Sequence, residues 1–335
     1  MLVLGVETSC DETAAALVAD GKVVLSNVIA TQLDLLKKFG GVVPEVAARR
    51  HTELIGYVIK EAVDSSGKTL AEIEAVSVTS KNGLIGCLLV GVAAAKALSY
   101  SLRIPLIGVH HIEGHIFANI LSNPQMPVPH ICLTVSDGHT MLIYVQDYGK
   151  YEVLGNTLDD AAGEAFDKIA KFFGMGFPGG PVIDELSTTG DRRAFRFPRP
   201  LLGASTLDFS FSGLKTSVIN AFKSRIAANE VLPVEDIAAS FQEAIVDVLV
   251  SKTLRAASER QVSVISVTGG VSANRRLREV FSNICQRREI EVFFPKLSLC
   301  TDNAAMIAAA GYARFKNGEV ADLDLNVIPS APFEV

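Results

Sequence analysis

LGVETSCDETAAALV (residues 4–18) and CLTVSDGHTMLIYV (residues 132–145) run the same course: an apolar, β-rich stretch, a small polar turn, and a second apolar stretch. The elements around them repeat as well. In the first half, strands at 2–7, 13–19 and 22–30, with Asp20-Gly21 as a hairpin turn, lead into a helix from Pro44 to about residue 63. A strand at 75–80, a helix at 86–102, a strand at 105–109 and a helix at 112–121 follow. Pro124, Pro127 and Pro129 punctuate the chain, and there the order restarts. Strands at 131–135, 140–146 and 151–154 precede helices at 160–173 and 233–258. A β-branched strand at 262–268, a helix at 273–286, a short strand at 292–294 and a helix at 302–315 complete the second half. Identity between the halves is low, so the duplication is one of topology. The expectation is an α/β chain of two lobes, 1–127 and 128–335, facing each other across a cleft. The second lobe carries a helical insertion around 188–235 and a C-terminal segment free to pack back on the first.

Composition fits that architecture. The 335 residues are 49% hydrophobic and 20% charged, enough for two cores and unlike a disordered, collagen-like or disulfide-scaffold chain. The net charge of −6 supplies no general positive field for nucleic acid. Five scattered cysteines without CxxC spacing fit a reduced, cytoplasmic chain. The longest apolar stretch, 84–95, ends at Lys96, shorter than a membrane span, and the N-terminus has no basic leader pattern.

Three of the six histidines lie in HHIEGH (residues 110–115). On a helix, His111 and His115 are four apart, so both imidazoles leave one face at a spacing that suits one divalent metal. An isolated HxxxH also arises by chance. Glu113 does not stand where the base of a zincin's HExxH stands, so a metalloprotease lacks its essential residue. Asp302, at the head of an apolar helix, offers a third ligand and would serve equally as a helix cap. Two histidines and a carboxylate with open positions suit Fe(II), with Zn(II) second.

Two turns, 8–12 and Ser136-Asp137-Gly138-His139, offer backbone amides to an anion. Each alone is an ordinary hairpin; their equivalence in two lobes adds weight. In GGVSAN (269–274) a strand ends in two glycines and a helix begins, with Ser272 as its natural cap, a place for close ligand approach. The segment lacks the Lys-Ser/Thr of a P-loop and the order of a GxGxxG turn. FPGGP (177–181) is another glycine turn, flanked by Asp167 and Asp184 at helical positions that also suit a solvated face. Arg192, Arg193, Arg196 and Arg199, near Phe195 and Phe197, fit an RNA-facing loop or a solvated face; Arg275, Arg276 and Arg278 form a second basic run.

Taken in order from end to end, VETSCDET (6–13), HHIEGH, FDK (166–168), FPGGP, SFSGLK (210–215), GGVSAN and TDNAAMIA (301–308) resemble the TsaD family of tRNA adenosine threonylcarbamoyltransferases, once labelled O-sialoglycoprotein endopeptidases. The resemblance implies the duplicated actin/hexokinase-like (ASKHA) fold. It implies an acyltransferase that moves threonylcarbamoyl from threonylcarbamoyl-AMP to the N6 amine of the adenosine beside the anticodon, in tRNAs reading codons that begin with A, releasing AMP. By position, His111, His115 and Asp302 would hold one Fe(2+) per subunit, with Zn(2+) the second choice. Thr134, Val135, Ser136, Asp137 and Gly138, with Asp167, Gly180, Asp184 and Asn274, would hold the adenylate. Asp11 and Glu12 match acidic positions and are the expected catalytic groups. Bacterial members work with TsaB, a shorter relative of the same fold, and with TsaE, so a homodimer or a heterodimer with TsaB is expected, away from any membrane.

Two stretches depart from the family's usual pattern: Lys81-Asn82-Gly83-Leu84 in place of Gly-Pro-Gly-Leu, and Ser136-Asp137-Gly138-His139 in place of Ser-Gly-Gly-His. Asp tolerates a positive φ, so the second turn should survive, but its charge would stand beside the expected phosphate. Lys81 would offset it only if it faced the same cleft. The rival readings are an ATP-dependent kinase of the same fold, which has no use for paired histidines, and a scaffold that has lost catalysis.

Overall fold

The computed structural model describes residues 1–227 and 233–333. They form two compact units, Met1–Met126 with Pro295–Val335, and Pro127–Phe294. In the first, β1 (Leu2–Glu7), β2 (Glu12–Ala19), β3 (Val23–Thr31), β4 (Ala75–Lys81) and β5 (Leu106–His110) form a sheet in the order β3-β2-β1-β4-β5. Helices α1 (Leu33–Leu36), α2 (Pro44–Ser65), α3 (Ile85–Leu102), α4 (His111–Ser122) and α10 (Ala304–Lys316) belong to this unit. In the second, β6 (His130–Val135), β7 (Thr140–Asp147), β8 (Lys150–Asn156), β9 (Val264–Thr268) and β10 (Glu291–Phe293) run β10-β9-β6-β7-β8, the first sheet's order read from its other edge. It carries α5 (Ala162–Phe172), α6 (Gly179–Leu186), α7 (Ser212–Ala227), α8 (Val234–Arg260) and α9 (Arg275–Arg287). In each sheet the two pairings among the first three strands in chain order are antiparallel and the other two parallel, so the duplicated topology is real.

Alternation along β1 decides what each face of the first sheet meets. Leu4 and Val6 bury against Val58, Ile59 and Ala62 of α2 and Val92 and Ala95 of α3. Gly5 points the other way, onto α10. A Cβ there would stand 2.2 Å from the Ala304 carbonyl oxygen and 2.9 Å from the Ala308 Cβ. Gly311 of α10 sits as closely on Ser77, whose hydroxyl donates to the Ile307 carbonyl at 3.0 Å. The segment following Pro295, counted with the second lobe by its place in the chain, is therefore part of the first unit. Its tail stays there: Ala321 bridges to Leu106, Ile328 to Lys81, and the Phe333 ring lies 4.9 Å from that of His110.

Helix α3 continues past Lys96 to Leu102 and, among the described residues, is the one helix long and apolar enough to cross a membrane by length and composition. In this fold it is the crossover between parallel β4 and β5, burying Cys87, Leu88, Gly91, Val92 and Ala95. The glycine turn expected at 177–181 opens helix α6 instead. Ser272 lies in a short 3-10 turn, and Asn274 caps α9, its Oδ1 accepting from the Leu277 amide at 2.9 Å. Within the expected insertion, of which 228–232 lie outside the described residues, α7 is fastened by an acidic pair. Asp159 accepts from the Phe211 and Ser212 amides and from the Ser210 and Ser212 hydroxyls, which outweigh its burial and hold its pKa at about 2. Asp160 pairs with Lys168 at 2.6 Å and Lys215 at 2.7 Å. FDK and SFSGLK are thus two sides of one clasp.

The close seat of α10 on β1 makes a sharp prediction. Gly5→Ala should cost about 1–3 kcal/mol through overpacking. Gly56→Ala in α2, where an added Cβ meets nothing within 4 Å, should be neutral or stabilising. Urea midpoints of the two variants moving in step would refute this account.

Candidate metal centre and catalytic loop

Strand β5 hands directly to α4 through His110, the N-cap, whose Nδ1 accepts from the Ile112 amide at 3.2 Å. One face of α4 then presents His111 and His115, rings 4.7 Å apart and nearly perpendicular. The third member comes from the turn ahead of α10. Asn303, and not Asp302, caps that helix: its Oδ1 accepts from the Met306 amide at 3.1 Å while its Nδ2 donates to the Thr301 carbonyl at 2.8 Å. The Asp302 carboxylate is thereby released for the imidazoles. Its Oδ1 lies 3.5 Å from His111 Nε2 and 3.2 Å from His115 Nε2, and the three donor atoms fall within 4.8 Å of one another. Two donors bound tetrahedrally to one ion at ~2.1 Å stand about 3.4 Å apart, so the spacing fits.

A second tier stands behind the ligands. His111 Nδ1 lies 3.3 Å from Glu7 Oε2 and 3.1 Å from Ser9 Oγ. Glu7 in turn accepts from the Thr79 hydroxyl at 2.6 Å and the Ser9 amide at 2.5 Å. A carboxylate taking the Nδ1 proton leaves the Nε2 lone pair aimed at Asp302, the tautomer that metal-ligating histidines adopt. Burial disfavours charge on His111, but Asp302 and Glu7 outweigh it and lift the ring to about 9. His111 reciprocally keeps Glu7 below the usual carboxylate range against its own burial. A buried carboxylate, Glu7, and a partly buried one, Asp302, on either side of one ring call for a positive charge here, which a proton or a divalent cation satisfies. Sequence reasoning missed Glu7 and Ser9. The signal was a carboxylate closing an otherwise apolar strand, one residue before a turn judged for its amides.

That turn is held from several sides. His51 of α2 donates from Nε2 to the Cys10 carbonyl at 2.9 Å and accepts the Thr13 hydroxyl at 2.7 Å, burial keeping the ring neutral. Thr8 donates to the Cys87 carbonyl at 2.8 Å, and the Leu84 amide to Ser9 O at 2.8 Å. Gly83 packs so tightly on Ser9 that a Cβ would come within 2.6 Å of its carbonyl oxygen. Asn82 has φ +68° and donates its amide to Ile328 O, neither of which a proline at that position could do. Next in the turn, Asp11 is raised by burial and by Asp302, and Glu12 by burial and by Asp11 to about 8. Thr31 donates to Glu12 Oε1 at 3.1 Å, while the buried Oε2 has no hydrogen-bond partner among the described residues.

In the second unit, the expected adenylate residues lie at the end of β6 and on the loop after it, on α5 and α6, and at the cap of α9. The loop after β6 meets the N-terminal turn of α5 and the glycines after β9. The Gly163 amide donates to Ser136 O at 3.2 Å, and a Cβ on Gly269 (φ +88°) would stand 2.4 Å from Val135 O. Neither Asp137 nor Gly138 has a positive φ, so this turn does not require the glycine expected for it, and Asp137 is exposed. Asp167 accepts from the Gly179 amide at 2.6 Å, tying α5 to α6, and Gly180 faces open space. Asp184 pairs with Arg275 at 2.8 Å and Asn274 donates to Gln242 at 2.6 Å. Asp184, Gln242 and Arg275 line a polar pocket of about 220 Å3. In the segment 192–199, Arg192, Arg193 and Arg196 are exposed, as either an RNA-facing loop or a solvated face requires, but the aromatic rings between them are not available to stack on a base. Phe197 is buried and Phe195 stacks on it at 5.4 Å, so both rings serve the core. In the second basic run, Arg275 and Arg276 are engaged by carboxylates and Arg278 by Ser272 O and the Phe294 ring.

The family model of TsaD, tRNA N6-adenosine threonylcarbamoyltransferase, matches residues 23–309. The chain belongs to the TsaD family. A tRNA N6-adenosine threonylcarbamoyltransferase of Clostridioides difficile is 50% identical over 330 residues, 98% of each chain. That of Clostridium novyi is 51% identical over 329 residues, 98% of this chain and 96% of its own. Among solved structures, T. kodakarensis HypF superposes with a TM-score of 0.64 at 14% identity, over 97% of this chain and 49% of its own. The Acidaminococcus fermentans (R)-2-hydroxyglutaryl-CoA dehydratase component A gives 0.56 at 14%, over 94% and 98%. Like them, this TsaD chain has the two-lobe, actin/hexokinase-like α/β fold. It is a tRNA threonylcarbamoyltransferase, which sets aside the kinase reading.

The raised His111 pKa fixes the sign of a pH dependence. A metal needs the ring neutral, so binding near pH 7 should release a proton, and affinity should climb by up to tenfold per pH unit until about pH 9. Without metal, the same shift stabilises the fold below the unfolded value near 6.5, a gain lost as pH rises through about 9. Zn2+ titrations against a competing chelator between about pH 6.5 and 8.5 test this; a flat affinity contradicts it.

Proposed function

We propose that His111, His115 and Asp302 hold one Fe(2+) per subunit, with Zn(2+) the second choice, and that this centre serves threonylcarbamoyl transfer from threonylcarbamoyl-AMP. The observation that carries the reading is the convergence of both Nε2 atoms on Asp302 Oδ1, with Glu7 fixing the tautomer of His111. When bound, a divalent ion there supplies Lewis acidity to a donor oxygen. The adenylate half of the donor is assigned to the second unit: Thr134, Val135, Ser136, Asp137 and Gly138, with Asp167, Gly180, Asp184 and Asn274. The acceptor is the N6 amine of the adenosine beside the anticodon, in tRNAs reading codons that begin with A. Its nitrogen bonds to the carbamoyl carbon, the bond from that carbon to the phosphate oxygen breaks, and AMP leaves with the bonding pair. Glu12 takes the amine's proton, with burial and then Asp11 keeping its pKa high enough to hold it near neutral pH.

The partners we assign are TsaB and TsaE, with a heterodimer built on TsaB. An acidic chain needs a second protein to present part of the tRNA surface. Tyr57, Ile85, Leu89 and Tyr100 stand exposed on α2 and α3, and the same two helices frame an apolar groove of about 690 Å3 lined by Ile55, Ile59, Leu70 and Leu98, surfaces that suit such a partner. The chain's five free thiols fit a cytoplasmic site of action.

Purified protein incubated with threonylcarbamoyl-AMP, TsaB, TsaE and unmodified tRNA should yield a modified adenosine by nucleoside mass. His111→Ala should abolish it, and no product from the wild type would leave the scaffold reading standing. Glu12→Gln should slow single-turnover transfer about 10²–10⁴-fold and remove a rise in rate centred near pH 8. An unchanged pH profile would exclude Glu12 as the base. Asp137→Gly should tighten donor binding by removing a negative charge beside the phosphate, and equal affinity of the two proteins would place the phosphate elsewhere.

A further inference from the structure

The metal reading leaves the one carboxylate of HHIEGH unused. Glu113 lies two residues from each histidine, so it leaves α4 on another face, and it is 1% exposed. A carboxylate that deep requires a cation, and α10 provides one. Arg314 donates from Nε to Glu113 Oε2 at 2.5 Å and from Nη1 to Glu319 at 2.6 Å. Helix α10 is the element to which Asp302 is tied through the Asn303 cap. The two helices touch at a second point. A Cβ on Gly114 would stand 2.6 Å from Ile307 Cδ1 and 3.2 Å from Met306 Cγ. Ile307 and Arg314 are about 10 Å apart along α10 at a rise of ~1.5 Å per residue. Two fixed points define a line, so together they set how α10 crosses α4.

We propose that Glu113 and Arg314 are positioning residues for the metal centre: their buried ion pair fixes α10 against α4 so that the Asp302 carboxylate meets the two imidazoles at ligand spacing. The inference rests on the metal reading above. Neither residue touches the ion, and the pair acts through the tilt of a helix. Arg suits the role because its planar fork joins Glu113 and Glu319 in a fixed orientation, which a lysine ammonium does not reproduce.

Co2+ is the probe, since its visible absorption reports ligand geometry. The metal-free full chain is titrated against a competing chelator at a temperature where circular dichroism shows each variant folded. Arg314→Met and Glu113→Gln should weaken Co2+ binding about tenfold or more and alter the visible bands. Arg314→Lys, which keeps the charge, should fall between them and the wild type and secures the test if Arg314→Met does not fold. Arg49→Met, which removes a pair exposed on α2, should leave both readouts unchanged. Variants that melt earlier yet bind Co2+ with wild-type affinity and spectrum would reduce the pair to a packing element and overturn the proposal. A wild type that binds no Co2+ would instead strike the metal reading beneath it.

Discussion

A helix backbone laid directly on a strand backbone is the constraint from which the first unit follows. Gly5 in β1 and Gly311 in α10 remove the two side chains that would separate them, and Ser77 adds a hydrogen bond to the same seat. Close approach of that kind brings a distant stretch of chain under the sheet and leaves its leading turn beside the start of α4. Asp302 reaches the histidines for this reason. The chemistry of the site is a consequence of backbone proximity, with the donor residues added at the ends of elements already fixed.

Electrostatics then determines what the site can accept. Asp302 raises the cost of charge on Glu7, Asp11 and Glu12, and Asp11 does the same to Glu12, in surroundings largely withdrawn from water. Burial favours neutral carboxyls, as Glu12 shows, whereas a cationic ring keeps Glu7 ionised. One neighbourhood therefore contains both a group that retains a proton near neutrality and an anionic pair that calls for a cation. Which carboxylate faces His111 separates the protonated group from the ionised one.

Much of this was legible in the residues. Periodicity located nearly every strand and the long helices, because alternation and apolar runs record burial directly. The spacing of His111 and His115 predicted a shared face, and the structure keeps it. What the chain order hid was long-range. Asp302 competes with Asn303 for one capping role, and only the backbone geometry decides between adjacent residues that both cap well. Helix α6 begins at a glycine-rich segment that reads locally as a turn, and the bounds of α7 within the expected helical insertion were not legible; tethering by Asp167 and capping by Asp159 come from outside those segments. The phenylalanines among the arginines resemble a nucleic-acid platform by composition, but burial assigns them to the core.

The first unit is discontinuous in the chain, whereas the second is a single uninterrupted stretch. During synthesis, residues 127–294 have their whole core available before α10 has been made. The first sheet must wait, one face bare, with His111 and His115 lacking their carboxylate. Assembly of the His111–His115–Asp302 cluster is thus tied to the last part of translation, and a nascent chain that stalled before Pro295 would lack its carboxylate.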